Sequence, residues 1–563
     1  MYNAFAEREE KLQDCAPPYS FFKLIRSVWK GYKKSAPPPD PLHRLCTLMR
    51  KMKAKSFVKE KLLLNPELED EIRMADARCG GGVKMSSIVR LTFFRSFPES
   101  RHWDELNDND LLGYAIIVTL KLPGQNYRTY MLESVVRPPS LWLDLEKKKA
   151  LPVTNYYTHC ARTFKTCIGT KRHSKTYNLI GSFFTQQNNL TSVCAHAALR
   201  TVLNSSAIFI QDIENQKLTN RAINETLFGN LRFQKNSEKI GEYKGDPIGT
   251  KKGLDNKDIE DVVKSLVEGR VILGNFSLPQ GNGAVEYDDF VYPLIESGMP
   301  AILGVEGWNF YGVKQVSHVI SILGHTLNTD RWDPEARLNY GRMFPYHRAS
   351  LRYIPVTEWI DHYIINDDNL GMYLTCPSDM LRSLLMPSKN PELHAVIAMG
   401  IVFEDILLPG HVANMLASGA ARMLINDASI NAPNFWLNHL KRGNLVCRTF
   451  LQRKQSYLEH IKEFAKESGV LTSQIERKFM NLPSSFWLTE LSLPNVYTGN
   501  KHKLGEIIVH SDRAMEKFET EDLLILGWVP GSIYFRMDDS TEKWINEHVP
   551  IIRGQEPTLS TEW

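Results

Sequence analysis

Apolar residues come in short runs throughout this chain, and that pattern limits what it can fold into. The richest stretch, Ala395–Leu408, is broken by Glu404 and Asp405. No run approaches the about 20 apolar residues that cross a bilayer, so no transmembrane segment is expected. Short apolar segments bury their surface only by packing on one another. Spread over 563 residues, they exceed what a single core holds, and two to four domains are expected. Hydrophobic content of 43% and charged content of 23% are those of an ordinary globular protein.

Punctuation along the chain divides it into an α+β arrangement. Residues 1–75 read as a basic helical segment, with a proline-rich break at Ala36-Pro37-Pro38-Pro39-Asp40-Pro41. Residues 76–150 read as a small β-rich domain. Ser87–Arg95, Leu112–Leu122 and Tyr127–Val136 are its strands, and Pro123-Gly124-Gln125-Asn126 is a hairpin connection. Residues 151–376 hold the candidate chemistry. Residues 377–563 read as a C-terminal mixed α/β domain, with helical patterns at Gly410–Leu424 and Leu451–Glu467. Strand patterns follow there at Phe486–Leu493, Gly505–His510 and Leu523–Trp528.

Three short segments carry residues that make a nucleophile together. A polar loop, Thr185-Gln186-Gln187-Asn188-Asn189, runs into Thr191 and Ser192, either of which can cap a helix, and then into Cys194-Ala195-His196-Ala197-Ala198-Leu199. This puts Cys194 in the first turn of a helix, where unpaired amides and the helix dipole favour a thiolate. His196 lies about 200° further round that helix, which places it on the helix surface or just behind the site and not as the base. His318 opens a strand-like run, Gln315–Gly324. Another strand, Tyr363–Asn366, ends in the polar turn Asp367-Asp368-Asn369-Leu370-Gly371. A cysteine nucleophile needs a base, and the base needs a group to orient it.

The order Cys at a helix start, His at a strand start and Asp ending the next strand resembles that of papain-like cysteine peptidases. It looks closest to the branch of bacterial leader peptidases attached to peptide exporters. The resemblance covers about residues 176–376. It implies a papain-like domain with Cys194 as nucleophile, His318 as base and Asp367 as orienting acid. Gln187, with the backbone N–H of Cys194, is the implied oxyanion donor. Gln187 lies seven residues before the cysteine where the family's glutamine lies six, and position 188 is Asn, so Gln186 is kept as the alternate. Asp368 stands where the family has proline and is the alternate acid. The implied reaction is cleavage of a protein or peptide amide through a thioester. An acyltransferase of the transglutaminase kind, or a silent papain-like binding module, would show the same residue order.

No metal or other cofactor is expected, since His159, Cys160, Cys167 and His173 lack a Cys-x-x-Cys spacing. Glu490 and Glu506 read as structural, with nothing in the sequence that places them together. Eight scattered cysteines and an acidic, polar N-terminus point to a reducing, cytoplasmic setting. Between Lys23 and Lys61, twelve Lys and Arg oppose only Asp40 and Glu60. Phe21, Phe22, Trp29 and Tyr32 are interleaved with those charges. The segment is expected either to pack its apolar face on the body or to dock an anionic partner.

Overall fold

The computed structural model describes residues 5–30, 40–125, 127–138, 155–157, 160–188, 190, 194–206, 218–229, 254–267, 269–276, 286–308, 314–327, 336–339, 351–381, 392–431, 435–468, 479–500, 502–515, 520–530, 532–536, 542–545 and 552–553. The chain is mixed α+β, and its described residues form three large sheets. The first contains β1 (Gln13–Asp14), β2 (Ser56–Lys61), β3 (Lys84–Phe94), β4 (Leu111–Lys121), β5 (Tyr127–Val136), β7 (Arg162–Gly169) and β8 (Ser174–Phe184). Its order is β1-β2-β3-β4-β5-β8-β7, antiparallel throughout. The β4–β5 hairpin closes through Pro123–Gln125, where Gly124 takes φ +76, a left-handed conformation that costs glycine little. Helices α1 (Phe21–Val28) and α2 (Asp40–Lys51) cover one face, and α3 (Pro66–Arg78) covers the other.

The second sheet holds β6 (Asn155–Tyr157), β9 (Gly269–Asn275), β10 (Ala301–Trp308), β11 (Lys314–Leu327), β14 (His362–Asp367), β15 (Gly371–Pro377) and β16 (Glu392–Phe403). Its order is β15-β14-β11-β10-β16-β9, with β6 paired to the end of β11. Helices α4 (Cys194–Ser205), α5 (Asn220–Gly229) and α6 (Asn256–Val267) pack on one face through Leu199, Val202, Ile223 and Val262 against Ile302 and Ile401. Helix α7 (Tyr287–Glu296) and the long α8 (Gly410–Asn431) share a core with this sheet and the third. The third sheet orders β12 (Arg337–Asn339), β13 (Leu351–Pro355), β17 (Leu445–Arg453), β18 (Ser485–Ser492), β20 (Gly505–His510), β21 (Leu524–Val529), β22 (Ser532–Arg536) and β23 (Glu542–Ile545).

The sheets overrun the boundaries expected at 75/76, 150/151 and 376/377. Strands at 13–14 and 56–61 extend the first sheet, and β8 closes it by pairing with β5. Strand β16 pairs with β10, and β13 leaves the middle of the chain to pair with β17. Periodicity marks a strand, but backbone groups are satisfied by whichever edge lies alongside, and one sequence does not print that partner. The helix expected over 451–467 begins at Lys454, because Leu451–Arg453 finish β17.

The basic segment belongs to the body. Phe21, Leu24, Ile25 and Val28 are buried on the first sheet and Trp29 packs against the same core, so these aromatic residues do not form an exposed docking stripe. Phe22 is exposed, with the Arg26 guanidinium 4.0 Å above its ring. Tyr32 and Ala36–Pro39 lie outside the described residues. Deleting residues 1–60 removes α1, α2 and nearly all of β2. The expected outcome is insoluble protein, read as the fraction of the truncated chain recovered in a cleared lysate.

Glu490 and Glu506, read as structural with nothing in the sequence to place them together, are directly opposed on β18 and β20. Lys503 bridges them, at 3.1 Å from Glu490 and in contact with Glu506. Arg448 lies 2.8 Å from Glu490 and 2.8 Å from Glu296, and His325 lies 2.8 Å from Glu296. Tyr457 and Trp528 donate to Glu506. Removing one partner of a buried pair leaves an uncompensated charge at about 3–5 kcal/mol. Lys503→Ala is therefore expected to lower unfolding free energy by about that amount in urea titration.

Candidate active site

The polar loop after β8 is anchored before it reaches Cys194. Thr185 donates to the Leu132 carbonyl at 2.7 Å. Gln186 donates its backbone N–H to Met131 O at 2.9 Å and accepts the Met131 N–H on its side chain at 3.0 Å. Its side-chain oxygen is thereby held on β5. Asn188 is buried and donates to Glu71 at 2.6 Å. Gln187 turns to the site, where its Nε2 donates to Asn369 Oδ1 at 3.1 Å.

Cys194 begins α4 and is partly exposed. The capping residues Thr191 and Ser192 lie outside the described residues. From Ala195 to Ser205 the helix is buried on every side. Its small alanines let it approach the sheet, and Ser321 of β11 donates to the Ala198 carbonyl at 3.3 Å. Arg200, also buried, is paired with Glu67 at 2.7 Å and donates to Leu218 O at 2.9 Å. His196 was expected on the helix surface or just behind the site. It is instead a core residue with no exposed area, bonded to Asn224 at 3.2 Å, and burial holds its ring down at about 4.

His318 comes from β11 and meets the turn after β14. Its Nε2 lies 3.3 Å from Asp367 Oδ2, 3.3 Å from Asp368 Oδ1 and 3.5 Å from the Asn369 amide. With Nε2 facing the acids, Nδ1 is the nitrogen left for Cys194, whose thiol lies near enough to favour the charged ring. Burial works against the charged ring. Hydrogen bonding to Asp367 and Cys194, with the charges of Asp367 and Asp368, outweighs it and pushes His318 up to about 10. Burial also opposes charge on Asp367. The His318 contact and the backbone N–H groups of Asn369 and Leu370, at 2.8 and 3.1 Å, overcome that and hold it below the usual carboxylate value. Asp368 differs: burial dominates and pushes it up to about 6.

The structure thus brings Cys194, His318, Asp367, Asp368 and Gln187 to one place, and Gln186 away from it. Sequence reasoning gave Asn369 and Arg44 no role. Asn369 links Gln187 to His318. Arg44, on α2, donates to Met372 O at 2.9 Å and also to Tyr373 O, clamping β15 just beyond the acidic turn. Gly371 has φ +120, and a Cβ there would sit 2.8 Å from Arg44 Cβ and 3.3 Å from Pro41 Cα. Asn369 was signalled only by its place in a polar turn. Arg44 lies more than three hundred residues from its partners, so no local pattern could reveal it.

His173 pairs with Glu9 and Asp104 on the surface, while Cys160 and Cys167 are buried thiols, and His159 lies outside the described residues. Among the described residues, no helix is long and apolar enough to cross a membrane. Comparison with protein-family models, curated proteins and solved structures found no match for this chain.

Gly371→Ala forces a side chain into a left-handed backbone and against α2, at a cost of about 1–3 kcal/mol. It is expected to lower the urea midpoint and to slow alkylation of Cys194, because the acidic turn shifts with the strand. Arg44→Ala should do the same with α2 intact, as followed by circular dichroism.

Proposed function

We propose that this chain is a cysteine hydrolase with a papain-like centre, cleaving an amide bond in a protein or peptide substrate. The observation that carries the reading is the His318 imidazole set between Cys194 and two acids, with its Nε2 3.3 Å from both Asp367 and Asp368. A charged imidazole beside a thiol at a helix N-terminus favours the thiolate. The thiolate attacks the amide carbonyl and forms a carbon–sulfur bond, and the negative charge passes to the carbonyl oxygen. The Cys194 backbone N–H and the Gln187 N–H not given to Asn369 would stabilise that oxygen. The carbon–nitrogen bond breaks as the His318 Nδ1 proton moves to the leaving amine, leaving a thioester. Water then gives a proton to His318 and its OH to the acyl carbon, and the carbon–sulfur bond breaks, releasing the acid and restoring the thiolate beside the charged imidazole. Asp367 keeps the ring oriented throughout.

All eight cysteines are free thiols, which supports a reducing setting such as the cytoplasm. Lys23, Arg26, Arg50, Lys51, Lys53 and Lys55 are exposed around α1 and α2, where an anionic partner would meet them.

Cys194→Ala and His318→Ala should each abolish turnover of a peptide amide while the chain remains folded, because residues that act as a unit fail together. Asp367→Ala should cost more activity than Asp368→Ala, since Asp367 also accepts the backbone of its own turn. Limiting iodoacetamide with mass spectrometry tests the thiol directly. Burial pushes Cys15 and Cys46 up to about 12 and Cys376 up to about 11, so they should label slowly at neutral pH. Cys79 is as partly exposed as Cys194 and is the control. Cys194 is expected to label roughly tenfold faster than Cys79, an advantage lost in His318→Ala. Equal rates in the unmodified chain would remove the nucleophile.

A further inference from the structure

A Cys–His centre needs one carboxylate to orient its imidazole, and this site has two. Asp368 has a side chain only 4% exposed, with Oδ1 3.3 Å from His318 Nε2. The backbone N–H groups of Gln187 and of Asp368 itself lie near its carboxylate. Neither oxygen, however, has a well-aligned hydrogen-bond partner. Leaving such a group buried is costly unless something comes to meet it. The spacing indicates what that is. A charge-assisted N–H···O bond closes to about 2.7–2.9 Å, whereas both carboxylates stand 3.3 Å from Nε2. In a tetrahedral site with ligands at about 2.0–2.1 Å, adjacent ligand atoms are about 3.3–3.4 Å apart. His318 Nε2, an Asp367 oxygen and an Asp368 oxygen all lie within 4.8 Å of one another.

We propose that His318, Asp367 and Asp368 form a binding site for a zinc-like divalent cation, which reversibly silences the Cys194 centre. This departs from the expectation that the chain has no metal ligand set. Binding places the Nε2 lone pair on the metal and releases the Nε2 proton to water. The two carboxylates supply the remaining protein ligands, and water completes the shell. Nδ1 then keeps its hydrogen toward Cys194. Passing that proton to a leaving amine would create an imidazolate, so thioester formation stalls. The silencing rests on the hydrolase reading given above, whereas the binding does not.

Zinc chloride titrated into the full-length chain by calorimetry tests the site, with Cys194→Ala and Asp368→Asn in parallel. Wild type and Cys194→Ala are expected to bind Zn2+ with affinities within about threefold, and Asp368→Asn at least about tenfold more weakly. Surface groups such as His173 with Glu9 and Asp104 would take up metal alike in every variant, so the difference isolates the site. If Asp368→Asn does not fold, His318→Gln replaces it with the same expectation. Equal affinity in Asp368→Asn, loss of binding in Cys194→Ala, or no binding by wild type would each overturn the site. Asp368-dependent binding by a chain with no amide hydrolase activity would uphold the site and overturn the hydrolase. Zinc-insensitive hydrolysis together with absent binding would do the reverse.

Discussion

The structure depends on the burial of α4, Cys194–Ser205, where the first and second sheets meet. One side of this helix packs Leu199 and Val202 on the second sheet. Its far end reaches the first sheet, where Ser205 accepts the Phe183 backbone N–H at 2.9 Å. Asn366 of β14 donates to the Phe183 carbonyl at 3.2 Å, so the strand before the loop, the helix after it and the strand carrying the acids converge on one residue. Fully burying each leucine or valine stabilises the fold by about 1.5–3 kcal/mol. The polar contacts add less energy, but they fix which way the helix start faces.

Two groups of buried charge have different characters. The cluster of Glu296, Arg448, Glu490, Lys503 and Glu506 pairs acids with permanent cations and with Tyr457 and Trp528 donors. It links α7 to the third sheet, and His325 extends it to β11. Its value lies in specificity of packing, because wrong sheet arrangements would strand one of these charges. The group around His318 is less neutralised. Two carboxylates share one imidazole, burial pushes Asp368 up to about 6, and Asp367 is held down by its turn. Burial and a shared base thus move two neighbouring acids in opposite directions.

That group is held from outside by the basic N-terminal segment. Arg44 and Pro41 of α2 pack against Gly371, and Tyr373 of β15 returns to the first sheet through a 2.6 Å bond to Val136 O. The same helix that carries the exposed Arg50 and Lys51 therefore supports the acidic turn. Anything that loosens α2 from β15 disturbs the far side of the imidazole first.

The sequence by itself determined the short elements and the residues with chemical potential. β-branched and aromatic runs marked β3, β4, β5, β18, β20 and β21. A polar loop entering an alanine-rich stretch marked Cys194 as the start of a helix, and the strand patterns marked His318 and Asp367. These are local facts, set by backbone propensity and side-chain period. Only the tertiary structure decided which edges pair, so β8, β13 and β16 joined sheets that the linear boundaries had separated. It also decided that Gln186 serves β5 while Gln187 faces the site, that His196 is core, and that Lys503 neutralises Glu490 and Glu506. Arg44 and Met372 meet across 328 residues, and such a contact follows from the way whole sheets and helices bury their faces, to which each residue contributes only a small part.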